Sequence, residues 1–410
     1  MSKKKIVILG AGFGGVYTYK SIPSWLRKKC HITIIDKKNH FLFTPLLPEV
    51  ATGGLDQHNV VEPIRDIINA SVNFIKASVS SVDTKNKMVH IEDAEISYDI
   101  LVSALGSETH FFDIPGALEY SYVLKTLEDS IAIRNRFIDI FEAASQLSNQ
   151  AERSKMLSLV IVGGGPTGVE LAGEAADLFF QTFDKQYKNI SAKDISITLI
   201  NSSDSLVSMF DTKLQKYAKA SLIKNKVQVK NNSRVTEIHE RGVIMDDGQS
   251  IPTQTVIWAA GVKPKVLRCI HDGFNIQNGK ICVNQYLQAE HNENVFVVGD
   301  MSHFPTKDER GLPMTAQVAK QQGQCVAKNI QCLLEAKDLH PFVYKEKGLL
   351  ASLGLFDAIA QIKGIRLTGL FAWFLWRTIY LLNFASWKKR IRILLDWTIG
   401  LFTRRDTTRL

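Results

Sequence analysis

Short apolar runs alternate with stretches of helical periodicity along most of the chain. Apolar runs without alternation predict strands that are buried on both faces, as in parallel sheets. They lie at His31–Asp36, Ile100–Leu105, Ile195–Ile200, Thr255–Ala260 and Asn294–Val298. Alternating stretches predict meander strands around 73–83, 88–92, 227–237 and 242–247, with a hairpin turn at 246–248 and helices over 127–142 and 169–183. Strands that alternate with helices predict an α/β fold.

Two glycine-rich turns punctuate this pattern, at Gly10–Gly15 and Gly163–Gly168. Each follows a β-branched run, opens a helical stretch and fits G-x-G-x-x-G. Glycine allows the tight turn and lets the backbone approach a pyrophosphate, which then sits at the positive end of a helix. The strand before and the helix after each turn are the context that supports a dinucleotide site. Two such turns predict two Rossmann-like domains.

The strand around Asn294–Val298 follows the second of these domains, so we expect the second domain to be inserted into the first. Two dinucleotide sites with one domain inserted into the other form a reductase-like layout, which suggests a flavin and a nicotinamide. The predicted division is 1–115 and 271–344 for an FAD-binding domain, 116–270 for an NAD(P)H-binding domain and 345–410 for a C-terminal region.

An acid at the end of the following strand completes the dinucleotide fingerprint. In the first domain it is Asp36, which is predicted to hydrogen-bond an adenosine ribose; the alternative is an ordinary surface-turn aspartate. In the second domain Asn201 stands there instead, followed by Ser202 and Ser203. A carboxylate repels a 2′-phosphate, so Asn201 predicts weaker discrimination against NADPH.

A third turn, Gly299-Asp300, follows the last strand of the pattern. Asp300 is placed to hydrogen-bond a ribityl hydroxyl. From the residues alone, an ordinary turn aspartate without a ligand is an equally good interpretation.

The net charge of +9 is concentrated at the C-terminus. Residues 367–410 hold eight arginines and lysines against two aspartates, interleaved with tryptophan and leucine. Uniform basicity would suggest nucleic acid, which we do not expect as a partner, whereas this mixture favours an anionic membrane surface. No apolar run there reaches the ~18–20 residues needed to span a bilayer. Ile391–Phe402 is amphipathic, and Trp373, Trp376, Trp387 and Trp397 are expected at the lipid interface. The alternative is a dimer interface or a helix pair that covers the core.

The five cysteines form no C-x-x-C motif and are odd in number. They argue against a zinc site, a disulfide framework and secretion, so we expect no metal.

The whole set of motifs resembles type II NADH dehydrogenase, the single-subunit NADH:quinone oxidoreductase. The resemblance rests on both glycine turns, on Gly299-Asp300 and on an A-Q-x-x-x-Q element at 316–321, which is its most specific part. It continues through the segments 43–53, 104–106, 114–116, 124–129 and 258–262. Tyr380 departs from it, since the family pattern often has histidine there.

The resemblance implies a membrane-associated flavoenzyme that passes a hydride from NAD(P)H to FAD and then two electrons to a lipid quinone, without pumping protons. The implied FAD contacts are Gly10, Gly12, Gly14, Gly15, Asp36, Thr44, Gly299, Asp300, Ala316 and Gln317. The implied NAD(P)H contacts are Gly163, Gly165, Gly168 and Gly261. Asn201 is a further expected contact that departs from the family, since it replaces the usual acid. The implied catalytic residues are Glu170, at the nicotinamide, and Gln317 and Gln321, at the quinone.

Each of these roles has a plain alternative. Glu170 also suits a first-turn acid favoured by the helix dipole, and glutamines on a helix face are most often solvated. The alternative functions are a sulfide:quinone reductase and a non-enzymatic NAD(P)H-sensing membrane flavoprotein; a disulfide reductase fails because its C-x-x-x-x-C motif is missing. We expect the protein on the cytoplasmic face of the membrane, with a homodimer through the C-terminal region as a further possibility.

Overall fold

The computed structural model describes residues 3–270, 273–306, 311–384, 387–403 and 405–410. Its contacts divide the chain into two compact units. The first unit comprises Met1–Leu42, Val61–Glu108 and Val262–Glu346, and the second comprises Phe43–Val60, Thr109–Gly261 and Lys347–Leu410. The four-segment division given above stays a prediction.

The first unit is built on a six-stranded sheet that is parallel except for one edge strand. Its strands, in spatial order, are Gln288–Ala289, Asn292–Val297, Ile100–Ser103, Lys5–Leu9, His31–Asp36 and Asn73–Lys76. The smaller antiparallel or mixed sheets comprise Val79–Asp83, Met88–Ile91 and Ala94–Ser97; Ile276–Gln277, Lys280–Cys282 and Ser302–His303; and His40–Leu42 with Val61–Pro63. Its helices are Phe13–Ser21, Ser24–Lys29, Ile64–Ile67, Ala316–Leu334 and the 3₁₀ turn Gly299–Met301.

The second unit is built on a five-stranded parallel sheet. Its strands, in spatial order, are Tyr122–Val123, Thr255–Trp258, Ser158–Val162, Ser196–Ile200 and Val227–Lys230. Two antiparallel sheets comprise Val235–His239, Gly242–Met245 and Ser250–Pro252, and Leu349–Gly354, Asp357–Ile362 and Ile365–Thr368. Among the described residues, the two remaining short strands are Ser107–Thr109 and Val262–Pro264.

The helices of the second unit pack around its sheets. They are Leu47–Ala51, Ala117–Tyr120, Leu127–Ser145, Gln150–Met156, Pro166–Asp177, Asp184–Gln186, Thr212–Lys224, Gly369–Asn383 and Trp387–Gly400, with 3₁₀ turns at Thr44–Leu46 and Gln57–Asn59. The Pro166 helix (Pro166–Asp177) continues as a π-helical segment, Leu178–Phe183. The predicted α/β fold with an inserted second Rossmann-like domain is confirmed, because the strand Asn292–Val297 pairs in parallel with Ile100–Ser103 in the first sheet, while the second sheet lies between them in sequence.

The C-terminal sheet packs directly on the Pro166 helix. Ala351, Leu353 and Ile359 are fully buried in the same apolar cluster as Leu171 and Phe179. A Cβ at Gly173 would collide with the Leu353 backbone, so the close approach requires glycine. The C-terminal residues are therefore part of the core of the second unit.

Candidate functional site

The first glycine turn leaves space where a phosphate would bind. Gly10 has φ +95°, and a Cβ there would strike the Ala104 carbonyl. A Cβ at Gly15 would strike the Gly10 carbonyl, and one at Gly14 would press on Val298. Gly12, the N-cap of the helix Phe13–Ser21, faces open space. The turn thus presents backbone N–H groups and a helix N-terminus to an unobstructed volume, as a pyrophosphate requires.

Asp36 ends the second strand of the first sheet, beside this turn. Its Oδ2 accepts the Ala11 N–H at 2.6 Å, and its Oδ1 accepts the Lys38 N–H at 2.8 Å. Each carboxylate oxygen has a second lone-pair site, so both can still accept ribose hydroxyls. The backbone contacts hold the carboxylate in place before any ligand arrives.

The second glycine turn repeats this geometry in the second unit. Gly163 has φ +118°, a Cβ at Gly168 would strike the Gly163 carbonyl, and Gly165 at the helix N-cap faces open space. A Cβ at Gly164 would collide with the Asn201 carboxamide. The residues of both turns therefore fit a dinucleotide phosphate.

Asn201 is buried and turned toward its own loop. Its Nδ2 donates to the carbonyl oxygens of Ser203 at 3.0 Å and Ser205 at 2.9 Å. A carboxylate at this position has no N–H to donate, so the loop after the strand depends on the amide.

Gly299 and Asp300 form the turn after the strand Asn292–Val297. Gly299 has φ +71°, which favours glycine, and Ser107 Oγ donates to Asp300 Oδ2 at 2.5 Å. The fully buried Gln322 accepts the Gly299 N–H at 2.6 Å, and its amide also pairs with the Ser302 hydroxyl. Gln322 is not among the residues predicted from the sequence. The available signal was a third glutamine within the helix that carries the A-Q-x-x-x-Q element.

The Ala316 helix (Ala316–Leu334) carries Gln317 and Gln321 one turn apart. Thr315 caps it by accepting the Val318 N–H at 3.3 Å, and Ala316 and Gln317 in its first turn are half-buried. The Gln321 amide is engaged on both sides: Nε2 donates to the Lys345 carbonyl at 2.9 Å, and Oε1 accepts the Lys345 N–H at 3.1 Å. Gln321 therefore fastens the chain at 345 to this helix.

Two further predicted contacts lie in the second unit. Thr44 begins the 3₁₀ turn Thr44–Leu46, and the preceding Phe43 stacks on Phe384 with ring centroids 4.2 Å apart. Gly261 is exposed with φ +85°, and a Cβ there would strike the Phe112 ring.

Glu170 is buried on the Pro166 helix, and its Oε1 accepts the Ser352 N–H at 3.2 Å. Burial raises its pKa to about 8, since the charged form loses its hydration. Burial likewise raises the pKa of Glu49 and of Asp177 to about 7, against the opposing attraction of nearby guanidinium groups. A carboxyl with a pKa near neutrality can hold and release a proton at working pH.

Three of the four tryptophans expected at a lipid interface are buried, so that prediction was wrong for them. Arg377 stacks on Trp373 and Trp397, 3.9 and 4.7 Å from the ring centroids, and Trp376 is also buried. Cation–π contact and core packing hold these rings inside. Trp387 alone of the four is exposed, at 65%.

The Trp387 helix (Trp387–Gly400) turns an apolar face outward. Ile393 and Trp397 face the protein, while Ile391, Leu394, Leu395 and Ile399 are exposed, followed by Phe402 at 86%. Within the described residues, no helix has both the length and the apolar character that crossing a bilayer requires. No disulfide joins any of the five cysteines, all of which are described.

Comparison with known proteins gives matches along nearly the whole chain. The family model for pyridine nucleotide-disulphide oxidoreductases matches residues 4–323, and the NDH2 C-terminal domain matches residues 347–406. A probable NADH dehydrogenase of Dictyostelium discoideum is 33% identical over 99% of this chain and 91% of its own length. The type II NADH:quinone oxidoreductase of Staphylococcus saprophyticus is 30% identical over 92% of this chain and 94% of its own length.

Solved structures share the fold. NDH2 from Plasmodium falciparum in complex with NADH has a TM-score of 0.93 at 24% identity, covering 99% of this chain and 100% of that chain. The sulfide:quinone oxidoreductase of Aquifex aeolicus has a TM-score of 0.75 at 19% identity, covering 98% and 96%.

The predicted function, NADH oxidation through FAD with a quinone as electron acceptor, is confirmed over its alternatives by the full-length relatives. Proteins of this kind are membrane-associated. The chain belongs to the type II NADH:quinone oxidoreductases.

Proposed function

We propose that FAD is held by the first glycine turn, with Asp36 on the ribose and Asp300 on the ribityl chain. The observation that carries this proposal is the open volume at Gly12, bounded by glycines whose replacement would strike backbone. Gln322 holds the Gly299 turn so that Asp300 keeps its orientation. Thr44, Ala316 and Gln317 are proposed as further cofactor contacts.

We propose that NADH lies on the second glycine turn, with its pyrophosphate at the N-terminus of the Pro166 helix. Glu170, four residues into that helix, is proposed to orient the nicotinamide through its carboxyl group. Gly261 is proposed to lie near the nicotinamide. When bound, FAD accepts the hydride and delivers electrons to the quinone. The residues of this chain are proposed to hold NADH and FAD in position. The raised pKa of about 8 lets the buried Glu170 carboxyl take up or release a proton near neutral pH.

Anaerobic titration of the purified yellow protein tests this function. NADH should bleach the flavin, and a quinone should restore its colour, whereas sulfide should leave the flavin oxidised. Bleaching by sulfide would favour a sulfide:quinone reductase. A protein that takes up no FAD would contradict the proposal.

Gln317 and Gln321 are proposed on the quinone side. We propose that Gln317, which is half-buried in the first turn of the Ala316 helix, donates to the quinone carbonyl. Gln321, whose amide is bound to the Lys345 backbone, is proposed to hold the segment at 345. Gln317→Ala should raise the KM for quinone by a larger factor than it lowers the rate of flavin bleaching by NADH. A slower bleaching rate with an unchanged quinone KM would contradict this assignment.

NADPH is proposed as an alternative donor. Asn201 is neutral and its amide donates into its own loop, so the side chain at this position brings no negative charge toward a 2′-phosphate. Steady-state kinetics should give kcat/KM values for NADH and NADPH that are closer than in Asn201→Asp. A wild-type NADH preference as large as that of the variant would contradict this.

We propose that the outward apolar face of the Trp387 helix docks on an anionic lipid surface on the cytoplasmic side. Lys388 and Arg392 are exposed beside it, whereas Lys389 and Arg390 are bound to backbone carbonyls of the protein. Exposed apolar rows flanked by basic residues suit a headgroup interface. The same face could instead bury itself in a homodimer.

Point variants separate these two uses better than truncation, because the C-terminal sheet belongs to the core. Leu394→Gln combined with Leu395→Gln should abolish flotation with anionic vesicles, and Lys388→Gln should weaken it only at low salt. A dimer in sedimentation that these changes convert to monomer, with flotation unchanged, would favour the dimer.

A further inference from the structure

The last six residues of the chain dock on the second unit as a strap. The C-terminal strap (Arg405–Leu410) runs along the helix Leu127–Ser145. Asp406 pairs with Arg134 at 2.9 Å, Arg409 pairs with Asp139 at 2.7 Å, and the Leu410 N–H donates to Asn135 Oδ1 at 2.9 Å. A Cβ at Gly53 would strike the Asp406 carbonyl, so the strap lies tightly on the chain there.

Arg405 is the member of the strap that enters the interior. Its Nη2 lies 2.7 Å from Glu174 Oε2 and 3.6 Å from Asp177 Oδ2, and its Nη1 donates to Thr52 Oγ1 at 2.8 Å and to the Glu174 carbonyl at 3.2 Å. The side chain is 14% exposed. A planar guanidinium with parallel donors is suited to such a set of acceptors, and a lysine is not.

The acceptors belong to a buried stack of acids. Glu170, Glu174 and Asp177 are spaced four and three residues apart, so they share one face of the Pro166 helix. Glu49 adds a fourth carboxyl; Arg377 lies 4.0 Å from it and Trp397 Nε1 donates to it at 2.8 Å. Without Arg405, Glu174 and Asp177 would have no cation within 4 Å among the described residues. A buried charge without its partner is strongly unfavourable.

One serine connects this stack to Glu170. The Ser352 hydroxyl lies 3.4 Å from Glu174 Oε1 and 3.4 Å from the Gly354 carbonyl, and the carboxylate is the stronger acceptor of its one proton. The Ser352 N–H donates to Glu170 Oε1 at 3.2 Å. A change in the charge or orientation of Glu174 therefore reaches Glu170 through a single residue. Asp177 is held from the same sheet, since Leu355 N–H donates to its Oδ2 at 2.5 Å.

We propose that Arg405 is a positioning residue for the reaction with NADH: by neutralising Glu174 it holds Ser352, and through Ser352 it fixes the orientation of the Glu170 carboxyl. This inference rests on the proposed role of Glu170. Of the C-terminal strap, Arg405 is then the residue that affects the reaction on the nicotinamide side.

Four full-length holoenzymes test the proposal: Arg405→Met, Arg405→Lys, Arg405→Met with Glu174→Gln, and Arg409→Met as the matched control. Arg409→Met removes an exposed ion pair from the same strap. The measurement is anaerobic stopped-flow bleaching of the flavin over a range of NADH concentrations, together with the melting temperature.

Arg405→Met should lower the limiting bleaching rate about 10-fold and leave the half-saturating NADH concentration within about 2-fold, since misorientation of a catalytic group affects the chemical step most. Arg405→Lys should lose about 3-fold, because it restores the charge without the second donor. The double variant should recover to within about 2-fold of wild type, as it removes the uncompensated carboxylate. Arg409→Met should match wild type.

A normal limiting rate in Arg405→Met, or a double variant as slow as the single one, would overturn the proposal. If Arg405→Met does not fold, Arg405→Lys and the double variant carry the same comparison. A wild-type flavin that NADH fails to bleach would refute the proposed function instead. In that case recovery of the melting temperature by Glu174→Gln would still report the pairing of Arg405 with Glu174.

Discussion

The two glycine turns have the same backbone geometry but different surroundings. In both, the first glycine is left-handed, the last one packs against the first carbonyl, and the N-cap glycine faces open space. Asp36 follows the first turn and accepts backbone N–H groups, whereas Asn201 follows the second and donates to carbonyls. The glycine pattern thus provides the space for a phosphate. The residue at the end of the next strand determines whether a hydrogen-bond acceptor, as at Asp36, or a donor, as at Asn201, lies beside that space.

The helices that follow the turns differ more strongly. The helix Phe13–Ser21 contains no acid, and its inward-facing Thr18 hydroxyl is satisfied by the Gly14 carbonyl. The Pro166 helix instead carries three acids into the interior, and two of them, Glu174 and Asp177, pair with Arg405 of the C-terminal strap. We therefore expect substitutions that change charge to affect stability more on the helix after the second turn than on the helix after the first.

Steric change at the last glycine of each turn should have the largest effect. Gly15→Ala places a Cβ against the Gly10 carbonyl, so we expect the loss of bound FAD and of most folded protein. Gly168→Ala has the same clash in the second unit, and we expect loss of NADH binding. The measurements are flavin content and equilibrium NADH binding.

The N-cap glycines provide the matched control. Gly12→Ala and Gly165→Ala meet nothing in the empty turn, so the melting temperature should change little while nucleotide affinity falls. An unchanged affinity in Gly12→Ala would show that the phosphate does not occupy this space.

The pH dependence of stability should be the next largest effect. Glu49, Glu170 and Asp177 have pKa values raised by burial to about 7, 8 and 7. Between about pH 4 and pH 8 the unfolded chain has released these protons and the folded chain retains them, so the free energy of unfolding falls as pH rises. Glu170→Gln should reduce that slope by up to about 1.4 kcal/mol per pH unit. Denaturant titrations at pH 5, 6, 7 and 8 measure it, and an identical slope in the variant would contradict the assignment.

Exchange of the polar residue after the second turn should have a moderate effect. Asn201→Asp replaces a donor with a carboxylate facing the Ser203 and Ser205 carbonyls, so we expect a loss of about 2–3 kcal/mol in the free energy of unfolding. Ser202→Ala, at an exposed neighbour, is the control. If Asn201→Asp is as stable as wild type, the amide does not hold the loop.

The smallest effect is expected at Gln322, which has no counterpart at the second turn. Gln322→Met leaves the Gly299 N–H without an acceptor, which should cost about 1–2 kcal/mol and weaken FAD retention. Gln324→Met, at a half-buried glutamine of the same helix, should change neither quantity. Equal FAD retention in the two variants would remove Gln322 from the cofactor turn.

The strands, the glycine turns and the helices that follow them could be predicted from the sequence, because they depend on contacts between residues that are close in sequence. The apolar run before Gly10 and the spacing to Asp36 need only neighbouring residues to form a strand, a turn and a helix. Gln322, Ser352 and Arg405 could not be predicted in this way, since the partners described above in other parts of the fold lie 20 to 353 residues away in the sequence. The buried tryptophans were misassigned for a related reason: an aromatic ring suits a lipid interface and a protein core equally until its neighbours are known.

By itself the sequence determined two dinucleotide turns, the inserted domain and an amphipathic C-terminal helix, since glycine spacing and hydrophobic period restrict the backbone locally. Only the tertiary structure decided which face of that helix points outward, that Gln321 is engaged with backbone, and that Arg405 compensates acids far away in the chain. The physical reason is that burial and charge pairing are properties of the assembled interior, where a side chain's free energy depends on partners that chain order does not reveal.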